Sequence, residues 1–170
     1  MTNDKIAHLA AVFTRDGRRV LFIGNEPGRP ARMFVQTLAG GSPRAITSEG
    51  TVGLLQTPDG RFVIARDPER KQALYPIEGG EPRPIPGLEP ADAPVQFSAD
   101  GRSLYALRRE GRIGKLHRID LETGRREFVR EIVSSSGSGI GALLLTPDGK
   151  SYVYGYGLQL SDLYLVQGLK

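Results

Sequence analysis

One four-residue phrase occurs four times in this chain: Arg15-Asp16-Gly17-Arg18, Pro58-Asp59-Gly60-Arg61, Ala99-Asp100-Gly101-Arg102 and Pro147-Asp148-Gly149-Lys150. Its aspartates stand 43, 41 and 48 residues apart. A period near 40 marks a supersecondary unit that cannot bury its apolar faces alone and must stack on copies of itself. Whatever the chain does is therefore carried on a repeated scaffold.

Aligned on the Asp-Gly pairs, the units read as strands. Three residues before the Asp stand Phe13, Gln56, Phe97 and Leu145, and five before it Ala11, Leu54, Val95 and Leu143. This period of two is that of a strand with one buried face. A Thr or Ser follows, at Thr14, Thr57, Ser98 and Thr146, and then the turn. Gly accepts positive φ there, and the Asp carboxylate can bond the backbone ahead of it. Alternation resumes at Val20 and Phe22, Val63 and Ala65, Leu104 and Ala106, Tyr152 and Tyr154, the second strand of a hairpin. Third runs follow at Met33-Phe34-Val35, Ala73-Leu74-Tyr75, Lys115-Leu116-His117 and Asp162-Leu163-Tyr164. Fourth runs, Pro43-Arg44-Ala45-Ile46, Pro82-Arg83-Pro84-Ile85 and Arg125-Arg126-Glu127-Phe128, complete the first three units. Proline places such a run at a sheet edge, where a missing N–H costs no ladder bond.

Four antiparallel strands per unit without helical periodicity predict an all-β propeller with four blade-like repeats, 6–48, 49–88, 91–133 and 139–170, in one domain spanning 1–170. The Thr-Pro-Asp-Gly-Arg turn at 57–61, the Leu-Tyr strand at 74–75 and the Gly79-Gly80 pair before Pro82-Arg83-Pro84-Ile85 resemble the TolB-type, or WD-like, propeller repeat of bacterial proteins. That resemblance covers nearly the whole chain and implies a fold. The family it points to includes periplasmic scaffolds, peptidase-associated propellers and the C-terminal halves of bacterial serine/threonine kinases. Leu163 to Lys170 resembles the last strand of propeller-tailed kinases and regulators, although no kinase motif is present.

The last blade reaches only its third strand, so the sequence predicts fifteen strands and a ring that is small or incomplete. Two four-blade halves related by symmetry would make eight blades, and a homodimer completing the ring is one expectation. Exposed blade faces would otherwise be apolar and prone to aggregate.

Composition narrows the chemistry. The chain has no cysteine, which removes disulfides, thiolate zinc sites and cysteine nucleophiles. Its 23 basic and 19 acidic residues give a net charge of +4, a mixed surface on which nucleic acid is not the expected partner. No apolar run reaches the roughly 20 residues of a membrane helix, and residues 1–5 lack the apolar stretch of a signal peptide. Read alone, that is a soluble, non-exported chain; read as part of a longer protein, it leaves the compartment open.

The polar residues that invite a functional reading are few. His117 stands where Phe34, Tyr75 and Tyr164 do in other blades, which makes it a packing substitution, and His8 is isolated. Two such histidines predict no metal site. The four turn aspartates read as turn formers, not as acid/base groups. Ser134 to Gly141 has a strand after it where a phosphate-binding loop needs a helix, so it reads as an interblade loop. In the third unit Arg108, Arg109, Arg112, Lys115, Arg118, Arg125, Arg126 and Arg130 face Glu110, Asp120, Glu122, Glu127 and Glu131, interspersed as in an ion-paired edge. Gln56 and Gln96 put amides on the innermost strands, where each needs a partner, water being the expected one. Gln56, Gln96, Arg108, Arg109 and Arg112 are the candidates for ligand binding. No catalytic residue or cofactor is predicted. The expected function is a non-catalytic scaffold for a protein or other ligand, within a larger bacterial protein; a sensory tail of a kinase or regulator and a propeller hydrolase or lyase are the alternatives.

Overall fold

A computed structural model describes residues 5–135 and 139–157. The first sheet contains β1 (Ala7–Phe13), β2 (Arg19–Asn25), β3 (Arg32–Thr37) and β4 (Arg44–Ala45), hydrogen-bonded in chain order. The second contains β5 (Val52–Gln56), β6 (Phe62–Arg66), β7 (Gln72–Pro76) and β8 (Arg83–Pro84). The third contains β9 (Asp92–Phe97), β10 (Ser103–Glu110), β11 (Ile113–Asp120) and β12 (Arg126–Val133). A fourth sheet pairs β13 (Ile140–Leu145) with β14 (Tyr152–Tyr156). All pairings within the sheets are antiparallel, and each full sheet is a meander. The proline-bearing runs form two-residue strands at the outer edges, β4 and β8. The expected third run of the last blade, Asp162 to Tyr164, lies outside the described residues. Among the described residues there is no helix, and so none long and apolar enough to cross a membrane.

Three apolar cores lie between successive blades. Leu21, Met33, Val35 and Ile46 of the first meet Val63, Ala65 and Ile77 of the second. Ile64 and Ile85 of the second share a core with Phe97 and Leu104 of the third. Leu107, Leu116 and Ile132 of the third join Ile140, Leu143 and Leu145 of the fourth. Complete burial of each such side chain stabilises by about 1.5–3 kcal/mol. Because every inner blade packs on two neighbours, both faces of its strands are covered. Val63 and Ile64, adjacent in β6, are both buried. The single buried face expected from period two is therefore a correction: sandwiching removes the polar alternation from the middle strands.

Among the described residues the outward faces of the two end blades keep exposed apolar side chains, although on the first blade Phe22 and Phe34 are buried in a stack with His8. Phe13, expected in the core with its repeat partners, is 65% exposed, and Leu9 and Leu38 are exposed with it on the first blade. Leu144 and Val153 are exposed on the fourth. The four sheets do not close into a ring in the described residues.

Candidate functional site

The repeated turn is one hydrogen-bond unit used four times. Thr14 Oγ1 donates to Asp16 Oδ1 at 2.5 Å and accepts from the Arg19 N–H at 3.0 Å, while Asp16 Oδ1 also accepts from the Arg18 N–H. The same contacts join Thr57, Asp59, Arg61 and Phe62, Ser98, Asp100, Arg102 and Ser103, and Thr146, Asp148, Lys150 and Ser151. Each turn glycine has φ between 67° and 71°. The Thr14 hydroxyl and then the Arg18 N–H hold the Asp16 carboxyl below its ordinary value. For Asp59, burial pushes the pKa up, but the Thr57 hydroxyl and the Arg61 N–H outweigh it. These carboxylates are committed to the backbone, and the aligned copies are spread over four blades instead of converging.

The two inner-strand glutamines tie blades together. Gln56 Nε2 donates to the Phe13 carbonyl at 2.7 Å, and its Oε1 accepts from the Arg15 N–H at 3.2 Å, joining the second blade to the first. Gln96 Nε2 donates to the Thr146 carbonyl at 3.3 Å, joining the third to the fourth. Backbone groups partner both. They lie in different interblade seams and do not come together.

Arg108, Arg109 and Arg112 also divide. Arg109 Nε and Nη2 donate to the carbonyls of Ile140 and Gly141 at 2.7 and 2.6 Å, and Arg112 Nη2 to that of Ser134 at 3.0 Å. Arg108 joins a cluster that sequence reading missed. Asp92, fully buried at the start of β9, accepts from Arg108 Nε and Nη2 at 3.1 and 2.9 Å and from Arg126 Nη1 at 2.6 Å. Its Oδ2 further accepts from the Glu89 N–H at 2.9 Å, and Glu89 itself pairs with Arg108 at 2.7 Å. Burial opposes ionisation of Asp92, but Arg126, the Glu89 N–H and Arg108 together keep its pKa below the ordinary value. Elsewhere on this basic blade Lys115 pairs with Glu110, and Arg118 Nε donates to Ser103 Oγ. Arg130 lies over the Tyr152 ring.

His117 packs edge-on against Phe128, with ring centroids 5.9 Å apart; burial and then Arg126 hold its imidazole below the ordinary value. His8 stacks on Phe22 at 4.4 Å. Among the described residues no group of three or more His, Cys, Asp or Glu is placed to hold a metal. Of the serine-rich loop, residues 136–138 lie outside the described part.

Several side chains that the turns and seams leave over lie in one cleft between the first two blades. The cleft, of about 610 Å³ at the turn end, is lined by Phe62, by four arginines, Arg15, Arg19, Arg61 and Arg83, and by four carboxylates, Asp16, Asp59, Glu78 and Glu81, of which both aspartates are held in their turns. Arg15 lies against the second blade's turn, its Cβ 3.2 Å from where a Cβ on Gly60 would sit. The guanidinium groups of Arg83 and Arg61 lie 4.9 and 5.9 Å from the centre of the Phe62 ring, within the range of cation–π attraction. Glu78 is taken by Arg19 and, at 3.8 Å, by Arg44. Arg15, Arg61 and Arg83 form no salt bridge among the described residues, although the charge of Arg61 acts on Asp59. A signal for this cleft was present in the alignment. Arg15 stands where Pro58, Ala99 and Pro147 stand, and Phe62 where Arg19, Ser103 and Ser151 do.

No protein-family model matches the chain, and no curated protein does. Solved structures do. A TolB from Acinetobacter baumannii superposes with a TM-score of 0.66 at 20% identity, over 93% of this chain and 39% of that one. A chain of a nidogen/laminin complex matches with a TM-score of 0.62 at 13% identity, over 89% and 57%. An oligogalacturonate lyase in complex with manganese matches with a TM-score of 0.57 at 17% identity, over 84% and 50%. This chain thus spans between about two fifths and three fifths of those chains. At such identities the likeness is one of fold.

Proposed function

We propose that this chain, which folds as part of a TolB-like β-propeller, is a non-catalytic scaffold that binds an acidic segment of a partner protein in the cleft between its first two blades. One observation carries the reading. The hydroxyls and aspartates that repeat from blade to blade are consumed in the turns, whereas Arg15 and Phe62 break the repeat and line one cleft with Arg61 and Arg83. Unlike the departures at Gln56 and Asp92, which are taken up by a seam and by an ion-pair cluster, the Arg15 side chain enters no ion pair among the described residues. Guanidinium groups with an aromatic shelf suit carboxylates held on an extended segment, by bidentate hydrogen bonds and by charge. The net charge of +4 favours approach of an acidic partner.

Fluorescence anisotropy of a labelled Glu-rich peptide, with a Lys-rich peptide of equal length as control, tests this. The expected result is saturable binding of the acidic peptide alone, weakened at least tenfold in an Arg15→Glu, Arg83→Glu variant that unfolds at the same temperature as the parent. Equal binding of both peptides, or binding indifferent to the two substitutions, overturns the cleft as the site.

A second copy of the chain is also proposed as a partner, one that completes the ring of blades. The uncovered apolar faces on the first and fourth blades favour it.

A further inference from the structure

Each blade interface inside the chain joins two different faces. The face turned toward the following blade carries the residue five positions after the turn aspartate: Leu21, Ile64, Tyr105 and Val153. The face turned toward the preceding blade carries the residue four positions after it: Val20, Val63, Leu104 and Tyr152. Leu21 and Val63 share one core, and Ile64 and Leu104 share the next. Among the described residues the same pairing rule leaves one face of each kind over, that of the first blade open at Phe13 and Leu38 but closed at Phe22, on which His8 stacks. Val153 is 62% exposed, where Leu21 and Ile64 are 0% and 4%. Leu38, 55% exposed, follows β3 as Ile77, 1% exposed, follows β7, and Ile77 is covered by the preceding blade.

We infer that two copies of this chain associate head to tail, the Leu144 and Val153 face of each covering the Phe13, Val20 and Leu38 face of the other. This rests on the second-copy reading above and adds which surfaces meet. The occupant follows from continuity, because each uncovered face is half of an interface the chain already makes between its own blades. The two halves differ in kind, so the contact is heterologous. Two such contacts related by a twofold axis close a ring of eight blades, within the range of propellers. An isologous contact would instead set one face against itself, for which the chain has no precedent.

The absence of cysteine makes the test clean. Light scattering after size exclusion is expected to give the mass of two chains for the parent and of one chain for Val153→Asp, with circular dichroism unchanged. In the doubly substituted Val20→Cys, Val153→Cys chain, oxidation is expected to give a covalent dimer on a non-reducing gel, while neither single substitution cross-links. A parent that is monomeric at every concentration overturns both the second-copy reading and the face pairing. A dimer in which Val20→Cys alone cross-links, or in which neither single nor double variant does, keeps the second copy and overturns the pairing. A disulfide formed within one chain shows the ring closing on itself and overturns both. Peptide anisotropy on monomeric Val153→Asp reads the cleft separately, so loss of the dimer leaves the scaffold proposal standing or falling by its own test.

Discussion

Asp92→Asn is the sharpest test of how the third blade is held together. The side chain keeps its shape and loses its charge, while the amide nitrogen now turns N–H groups toward guanidinium donors. In the native chain the carboxylate is fully buried and receives five hydrogen bonds: two from Arg108, two from Arg126 and one from the Glu89 N–H. Removing one partner of a buried ion pair costs about 3–5 kcal/mol, because the other charge is left uncompensated. Here the arginine side chains are 25% and 21% exposed and retain Glu89, at 2.7 and 3.6 Å. Water and Glu89 therefore absorb part of the loss, and the low end applies, about 3 kcal/mol. With a urea m-value of about 2 kcal/mol/M, the midpoint should fall by roughly 1.5 M. Out of a total stability of about 5–15 kcal/mol, such a loss is large.

The pH dependence adds a second reading. The folded pKa of Asp92 lies below its ordinary value of 3.8, so its contribution is complete above that value and is lost as pH falls through the lower folded one. The parent should therefore lose stability in acid more steeply than Asp92→Asn. Arg108→Met, which leaves Asp92 paired with Arg126, should cost much less than Asp92→Asn. A midpoint for Asp92→Asn within about 0.5 kcal/mol of the parent, the range of surface substitutions, would refute the reasoning.

Three further substitutions separate sequence pattern from structure. Gln56→Leu installs the kind of residue found at this position in the other blades, yet should destabilise by about 1 kcal/mol in urea unfolding, the low end of the cost of an unmade bond, because the seam that leaves the Phe13 carbonyl and the Arg15 N–H without their partner is only partly buried. Gly87→Ala should destabilise by more than about 2 kcal/mol in thermal unfolding: its Cβ would lie 2.2 Å from the Gly124 carbonyl oxygen, at a φ of +71°. Arg70→Gly should raise the melting temperature slightly, since Arg70 has φ 69° and relief of about 1–2 kcal/mol of left-handed strain exceeds the 0.5–1 kcal/mol entropy cost of glycine.

These substitutions also mark where the sequence stops being legible. The turn was readable because its chemistry is local: Thr14, Asp16, Arg18 and Arg19 meet within six residues, and any chain containing that order meets the same geometry. Strand order was readable because hairpins fix it, and the proline runs fixed the edges. Seams were not readable. Gln56 declared by its polarity that it needed a partner, but the partner is the backbone 41 and 43 residues earlier, and only the stacking of blades brings it there. Asp92 gave no signal at all, since Arg108 and Arg126 approach it from other strands and the His8, Thr51 and Ile140 found at its repeat position show no acidic trend. Phe13 misled, because alignment assigns it the burial of Phe97 while its location on the first blade leaves it uncovered. A repeat alignment predicts the environment of an inner unit and fails at the ends, where the neighbour that defines the environment is missing. It is at those ends, and where a departing residue such as Arg15 is not taken up as Gln56 and Asp92 are, that a scaffold of copies has surface left for a partner.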